Sequence, residues 1–127
     1  MSPVRVTQQI LVGWPLPSGE GDKDSRGKVL IVAGGAACPG AALLAAEAAL
    51  RSGAGKVQVA TSGSLAAAVG LAIPESRTIG LPENENGEIS GETNAVLLET
   101  AARADAVLSQ AAFTSVDDAE VLAEAPE

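Results

Sequence analysis

One segment of the sequence limits the fold more than any other: an apolar run, then glycines, then an alanine-rich stretch. Residues 28–33, KVLIVA, are apolar after the lysine, which predicts a strand buried on both faces of a parallel sheet. Residues 34–40 form a flexible glycine-containing turn, and residues 41–52, AALLAAEAALRS, predict a helix that ends before Gly53. The segment is therefore predicted to be a strand, a turn and a helix.

The same plan repeats along the chain. Further strands are predicted over 56–61, 77–81 and 105–108, and further helices over 64–73, 94–103 and 115–123, with a polar loop over 82–91 that carries an Asn86-Gly87 turn signal. Because strand and helix alternate, we expect an α/β fold in which helices layer a parallel sheet through right-handed crossovers. The length of 127 residues predicts one domain over residues 1–127.

Composition excludes several classes of chemistry. The chain has no histidine and one cysteine, Cys38, so we expect no Cys/His zinc site, no other metal site and no Ser-His or Cys-His catalytic pair. Cys38 has no base near it in the sequence and is interpreted as a small packed thiol. The net charge of −8 and the scarcity of aromatic residues argue against binding to nucleic acid.

Charge and hydropathy also bear on ligands and location. Residues 1–56 hold six Lys or Arg and four Asp or Glu, whereas residues 57–127 hold two and twelve, so an anionic ligand meets less repulsion in the first part. No apolar run reaches the roughly 20 residues that span a bilayer, and the first residues do not resemble a signal peptide. We therefore expect a cytoplasmic protein with no membrane partner.

The turn over residues 34–40 is the candidate binding site. Ligands of open parallel sheets bind beyond the carboxyl ends of the strands, and N–H groups that begin a helix favour phosphate or pyrophosphate. The turn has neither the G-x-G-x-x-G fingerprint nor the lysine of a P-loop, which disfavours a free-standing dinucleotide oxidoreductase and a P-loop NTPase. Glycine and proline are equally expected in a tight turn that binds nothing, so both interpretations stay open.

Several ordered motifs suggest a family. They are GDKDSRGKVLIVAGG at 21–35, PGAALLA at 39–45 and AALRSGAGK at 48–56, followed by shorter matches at 59–61, 73–75 and 104–108. Together they resemble the ADP/ATP-dependent NAD(P)H-hydrate dehydratases, the YjeF-type, carbohydrate-kinase-like proteins with a ribokinase-like fold. The resemblance extends over most of residues 15–108.

The resemblance implies a lyase that repairs nicotinamide nucleotides. NADHX or NADPHX would be dehydrated to NAD(P)H, driven by phosphoryl transfer from ADP or ATP with Mg²⁺. In this family the turn that corresponds to Gly35, Pro39, Gly40 and Ala41 borders the hydrate substrate, so these four residues are the predicted substrate-binding residues.

The sequence departs from the family at two points. The family has a Gly-Pro-Gly turn after the strand that ends here at Leu108, whereas this chain has Ser109-Gln110-Ala111-Ala112-Phe113 in its place. The family's domain is also roughly twice as long as a half-sheet of this size, and its second half carries the nucleotide site and the catalytic aspartate. We therefore expect a partial ribokinase-like fold, the amino-terminal half of the domain, with no catalytic residue assigned and little activity alone.

Two functional hypotheses follow from these departures. The chain is either half of a hydrate dehydratase that works with a missing second half, or a non-catalytic nucleotide-binding or assembly module derived from the carbohydrate-kinase-like fold. Because a half-sheet leaves an edge and an apolar face uncovered, we expect association with a second copy or with that second half.

Overall fold

Within the described residues, the sheet has four parallel strands in the order β3-β2-β1-β4. The computed structural model describes residues 5–14, 22–23, 25–92 and 94–110. Its strands are β1 (Lys28–Val32), β2 (Lys56–Ser62), β3 (Arg77–Leu81) and β4 (Ala106–Ser109). All three strand pairs are parallel, and Val29 lies opposite both Val57 of β2 and Ala106 of β4. The predicted α/β class with a parallel sheet is confirmed.

Helices cover both faces of this sheet. The described helices are α1 (Gln8–Val12), α2 (Gly40–Arg51), α3 (Ala66–Ala72), which follows a 3₁₀ turn at Gly63–Leu65, and α4 (Ala95–Ala102). Residues of α2 and α3 share one buried cluster with alternate residues of β1 and β2, and α4 shares a second cluster with the opposite sides of β1, β2 and β3. The first two crossovers run in one direction across the sheet and the third runs back, so right-handed crossovers place α4 on the opposite face.

Small residues let α2 approach the sheet closely. Ala42 and Ala46 are fully buried and pack in the same cluster as Ile31 and Val59 of the two central strands. Alanine combines a high helix propensity with a short side chain, so the helix backbone lies near the sheet.

The start of α4 is fixed by a side-chain cap, because the side chain of Asn94 accepts hydrogen bonds from the N–H groups of Val96 (2.9 Å) and Leu97 (3.2 Å).

Most of the predicted elements are present, with ends shifted by one or two residues. The strand over 77–81 has the predicted bounds, and the predicted helix over 64–73 begins as the 3₁₀ turn and ends at Ala72. Helix α1 was not predicted, and the predicted helix over 115–123 lies outside the described residues. Within the described ranges, no helix has the length and apolar character needed to cross a membrane.

Strand β4 differs from the other strands in its exposure. Leu30, Ile31 and Val32 of β1 are completely buried, whereas all four residues of β4 are exposed, with Val107 at 40% and Leu108 at 48%. In the described part of the chain β4 pairs with β1 alone. Among the described residues, the apolar strand expected here is therefore an edge strand with exposed side chains.

Candidate functional site

The site lies where the strand order reverses. Strand β1 has β2 on one side and β4, which comes much later in the chain, on the other. In doubly wound sheets the crevice at such a point, beyond the carboxyl ends of the strands, is where ligands bind. Here two segments leave that edge: the turn that follows β1, residues 33–39, and Gln110, whose N–H donates to the carbonyl of Val32 (2.9 Å).

The turn after β1 depends on Gly34. This residue has φ +85°, a conformation that residues with a Cβ rarely adopt. A Cβ at this position would lie 2.9 Å from the Thr61 hydroxyl and 3.2 Å from the Cβ of Ala42. The buried Thr61 hydroxyl donates to the carbonyl of Gly34 (3.2 Å). Close packing and this hydrogen bond therefore tie the turn to β2.

The loop after β3 folds back as a small hairpin over residues 82–90, here called the 82–90 hairpin. Glu83 and Ile89 pair as an isolated antiparallel bridge. The side chain of Asn84 accepts from the N–H groups of Asn86 (2.9 Å) and Glu88 (3.1 Å), and Gly87 takes φ +74°. The Asn86-Gly87 signal in the sequence therefore marks the end of a hairpin within the segment that was predicted only as a polar loop.

Each strand of the hairpin places a glutamate on a strand-to-helix turn. Glu88 accepts a hydrogen bond from the N–H of Ala37 (2.9 Å), and the carbonyl of Gly87 accepts one from the N–H of Ala36 (3.1 Å). The Glu88 carboxylate lies so close to Gly35 that a Cβ there would overlap it. On the other strand of the hairpin, Glu83 accepts from the N–H (3.2 Å) and hydroxyl (2.8 Å) of Ser64.

A pocket of about 220 Å³ lies between the turn after β1, the hairpin and the end of β4. Its walls come from the turn, from the first residues of α2, from the hairpin and from the residue after β4: Gly34, Gly35, Ala37, Cys38, Ala41, Glu88, Ile89 and Gln110. The pocket therefore occupies the crevice at the reversal of strand order.

The four predicted substrate-binding residues are close in the chain but differ in position. Gly35 and Ala41 line the pocket. Pro39 occupies the N-cap position of α2 and Gly40 is its first residue; both are exposed and neither is among the pocket-lining residues. Their contact with a substrate stays a prediction.

Glu88 and Ile89 were missed by the sequence analysis. The signal that could have suggested them is the Asn86-Gly87 turn, since a hairpin there returns the following residues toward the sheet. Gln110 belongs to the segment that replaces the Gly-Pro-Gly turn of the family, and it lines the pocket. Cys38 is exposed, so the prediction of a packed thiol was wrong.

Another acidic side chain next to the sheet, that of Asp105, lies far from the pocket edge. Asp105 lies at the opposite, amino edge, where its carboxylate accepts from the N–H of Lys28 (2.7 Å) and so holds β1 beside β4. Within the described ranges, no group of three or more Cys, Asp or Glu side chains could hold a metal ion. Among the described residues, the wall of the pocket is therefore formed mainly by apolar side chains and backbone, with one carboxylate, Glu88, and one side-chain amide, Gln110.

Comparison with known proteins agrees with this geometry. The solved structure of a ribokinase-like superfamily protein from Enterococcus faecalis superposes with a TM-score of 0.68 at 21% identity, covering 96% of this chain and 41% of that one. The ribokinase-like fold is thereby confirmed.

Sequence relatives come from bacteria and archaea. An ADP-dependent (S)-NAD(P)H-hydrate dehydratase of Xanthomonas campestris is 56% identical over 84 residues, which are 66% of this chain and 29% of the relative. A bifunctional NAD(P)H-hydrate repair enzyme of Methanothermobacter thermautotrophicus is 42% identical over 86 residues, 68% of this chain and 16% of the relative. The aligned part of the chain thus spans less than a third of the length of each of these curated relatives.

The family comparison covers the sheet and the site together. The family model described as NAD(P)H-hydrate dehydratase, of the carbohydrate-kinase-like group, matches residues 29–109. That range begins in β1, ends at the last residue of β4 and includes the turn after β1 and the 82–90 hairpin. The chain belongs to the NAD(P)H-hydrate dehydratase family.

Proposed function

We propose that this chain supplies the substrate-binding turn of a lyase that dehydrates NADHX or NADPHX to NAD(P)H. The observation that carries the proposal is the pocket at the reversal of strand order, lined by Gly35 and Ala41 within the range that matches the family. At about 220 Å³, the pocket is smaller than the about 300–1,000 Å³ of sites that enclose drug-sized ligands. Its size supports binding of one ring, the hydrated nicotinamide, rather than of a whole dinucleotide.

Each predicted residue has a physical role in this proposal. Gly35 lacks a side chain, which leaves room for the Glu88 carboxylate in the wall of the pocket, and Ala41 at the start of α2 has a small side chain beside the ligand. Pro39 and Gly40 shape the turn that leads into α2. Gln110 brings a polar side chain to the wall of the pocket, within the segment that replaces the Gly-Pro-Gly turn that the resemblance implies.

The proposal also includes the nucleotide co-substrate that drives the dehydration. The Xanthomonas relative is named as ADP-dependent, and we propose ADP or ATP with Mg²⁺ as the co-substrate. No described residue is assigned to the nucleotide, to Mg²⁺ or to acid–base catalysis, because the pocket is small and its one carboxylate is bound to the turn. We propose that residues 1–127 form the amino-terminal half of one catalytic domain.

A chimeric enzyme tests this function directly. Residues 29–109 of this chain replace the corresponding segment of the Xanthomonas dehydratase, and recovery of NADH absorbance from NADHX and ADP is measured. We expect turnover by the chimera and none by the 127-residue polypeptide assayed alone. A correctly folded chimera without turnover would refute the proposed function, and turnover by the polypeptide alone would refute the division of the domain.

Variants of the chimera test the pocket itself. Ala41→Leu fills the pocket wall, and we expect kcat/KM to fall at least about tenfold because the reacting ring is displaced. Ala48→Leu is the matched control, since Ala48 is an exposed residue of the same helix. Equal activity of the two variants would exclude Ala41 from the substrate site.

The exposure of β4 favours a second candidate, an assembly module that binds through its sheet edge. Val107 and Leu108 are exposed on a strand whose only described partner is β1, and unpaired edges recruit further strands. Sedimentation analysis tests this: we expect a homo-oligomer that Leu108→Lys dissociates, and a strictly monomeric chain would contradict it. The cytoplasmic location stays a prediction.

A further inference from the structure

The backbone donors of the turn after β1 are largely occupied by the protein itself. The N–H groups of Ala36 and Ala37 donate to the carbonyl of Gly87 (3.1 Å) and to the Glu88 carboxylate (2.9 Å). Those of Cys38 and Ala41 donate within the turn, to the carbonyls of Gly35 (3.1 Å) and Cys38 (3.2 Å). A phosphate that entered here would therefore find few of the donors that make such turns bind anions.

Glu88 also changes the charge of the pocket. One carboxylate oxygen accepts from Ala37, and the other lies against Gly35, so the side chain is held in the wall of the pocket. A second anion at this wall would meet like-charge repulsion as well as a shortage of donors. A group that donates a hydrogen bond would instead meet a carboxylate with unused lone pairs.

We propose that Glu88 determines the ligand specificity of this pocket: it admits an uncharged group that donates hydrogen bonds, such as a carboxamide or a hydroxyl, and rejects phosphate. Gln110, which also lines the pocket, carries an amide that both donates and accepts, which suits the same groups. The inference rests on the proposed function, because it identifies which end of a nicotinamide nucleotide enters: the amide-bearing ring and not the pyrophosphate.

The single cysteine provides the measurement. Cys38 is exposed and lines the pocket, so a bound ligand slows its alkylation by N-ethylmaleimide. Nicotinamide is the uncharged donor probe and inorganic phosphate the anionic probe, at constant ionic strength. In the wild-type chain we expect nicotinamide to slow alkylation and phosphate to leave the rate unchanged.

Variants at Glu88 should reverse this preference. In Glu88→Gln the charge is lost with little change of size, and we expect phosphate affinity to rise about tenfold or more, given the repulsion between charges about 4 Å apart in partly solvated surroundings. Glu88→Ala, which also frees the N–H of Ala37, should bind phosphate and lose protection by nicotinamide. Glu85→Gln, at the exposed tip of the same hairpin, removes the same charge and should behave as wild type.

The possible results separate the two proposals. Protection of the wild-type chain by phosphate, or the lack of protection by nicotinamide, would overturn the role of Glu88 without the need for any variant to fold. An inactive chimera together with the expected alkylation pattern would refute the proposed function and leave this specificity standing. An active chimera together with phosphate binding by the wild-type chain would support the proposed function and refute this specificity.

Discussion

The turn after β1 and the turn after β2 lead into helices on the same face of the sheet, yet only the first borders the pocket. Seven residues separate β1 from α2, whereas the 3₁₀ turn begins directly after β2. Both turns are bound by a glutamate of the 82–90 hairpin, Glu88 in the first and Glu83 in the second. The longer loop therefore makes room for a ligand, whereas a hydrogen bond from a backbone N–H to a glutamate carboxylate holds either turn.

The largest effect is expected where the long turn is tightest, at Gly34. Gly34→Ala places a Cβ on a residue with φ +85° and against Thr61 and Ala42. We expect the free energy of unfolding to fall by about 2–4 kcal/mol, from backbone strain and overpacking together. Urea denaturation measures the change.

A variant at Gly53 separates the backbone strain from the overpacking that we expect at Gly34. It has φ +96°, and no described atom lies within 4 Å of the place that a Cβ would take, so Gly53→Ala should cost only the backbone strain, about 1 kcal/mol. Equal losses in the two variants would show that packing against β2 does not hold the turn.

A smaller effect is expected from the hydrogen bond that joins the long turn to β2. Thr61→Val removes the hydroxyl that donates to Gly34 and leaves a buried carbonyl without that partner. We expect a loss of about 1–2 kcal/mol in the free energy of unfolding. Chemical denaturation followed by circular dichroism gives the value.

The neighbouring residue, Ser62, supplies a control in which the free energy of unfolding should not fall. The Ser62 hydroxyl is buried and has no hydrogen-bond partner among the described residues, so Ser62→Ala removes an unsatisfied polar group. Its stability should be unchanged or higher by up to about 1 kcal/mol. A loss as large as that of Thr61→Val would mean that both hydroxyls make similar contributions.

The smallest effect is expected at the short turn. Glu83→Ala removes the acceptor for the N–H and hydroxyl of Ser64 in an exposed position, and about 0.5 kcal/mol is expected because solvent replaces much of the interaction. Glu85→Ala is the matched control and should be neutral. A larger loss, with faster alkylation of Cys38, would show that Glu83 also positions the hairpin over the long turn.

Local sequence patterns were sufficient to predict the central sheet. The run from Lys28 to Ala33, which is apolar after the lysine, contains β1. The burial of β1 on both faces is predictable because polar residues do not alternate with apolar ones along this run. The helix predicted from Ala41 begins one residue earlier, at Gly40. These elements are predictable because propensity, periodicity and end signals agree within a short window.

The parts that escaped prediction depend on contacts between distant segments or on very short elements. The hydrogen bond from Ala37 to Glu88 joins residues 51 apart in sequence. No local sequence pattern specifies that the hairpin folds back over the sheet. Helix α1 has five residues and a Thr7 cap, too short for a periodic signal. An uncovered edge was expected, but the strand that forms it could not be named, because the apolar character of Leu108 indicates a strand and not what covers it.

The strand order has a consequence for synthesis of the chain. Val29 pairs with Val57, 28 residues later, and with Ala106, 77 residues later. At about 5–20 residues per second, a ribosome needs roughly 1–6 s to extend the chain from the end of β3 to the end of β4. During that interval three strands can pair while one side of β1 stays open, so the nascent chain presents its most apolar strand as an unpaired edge that chaperones can bind.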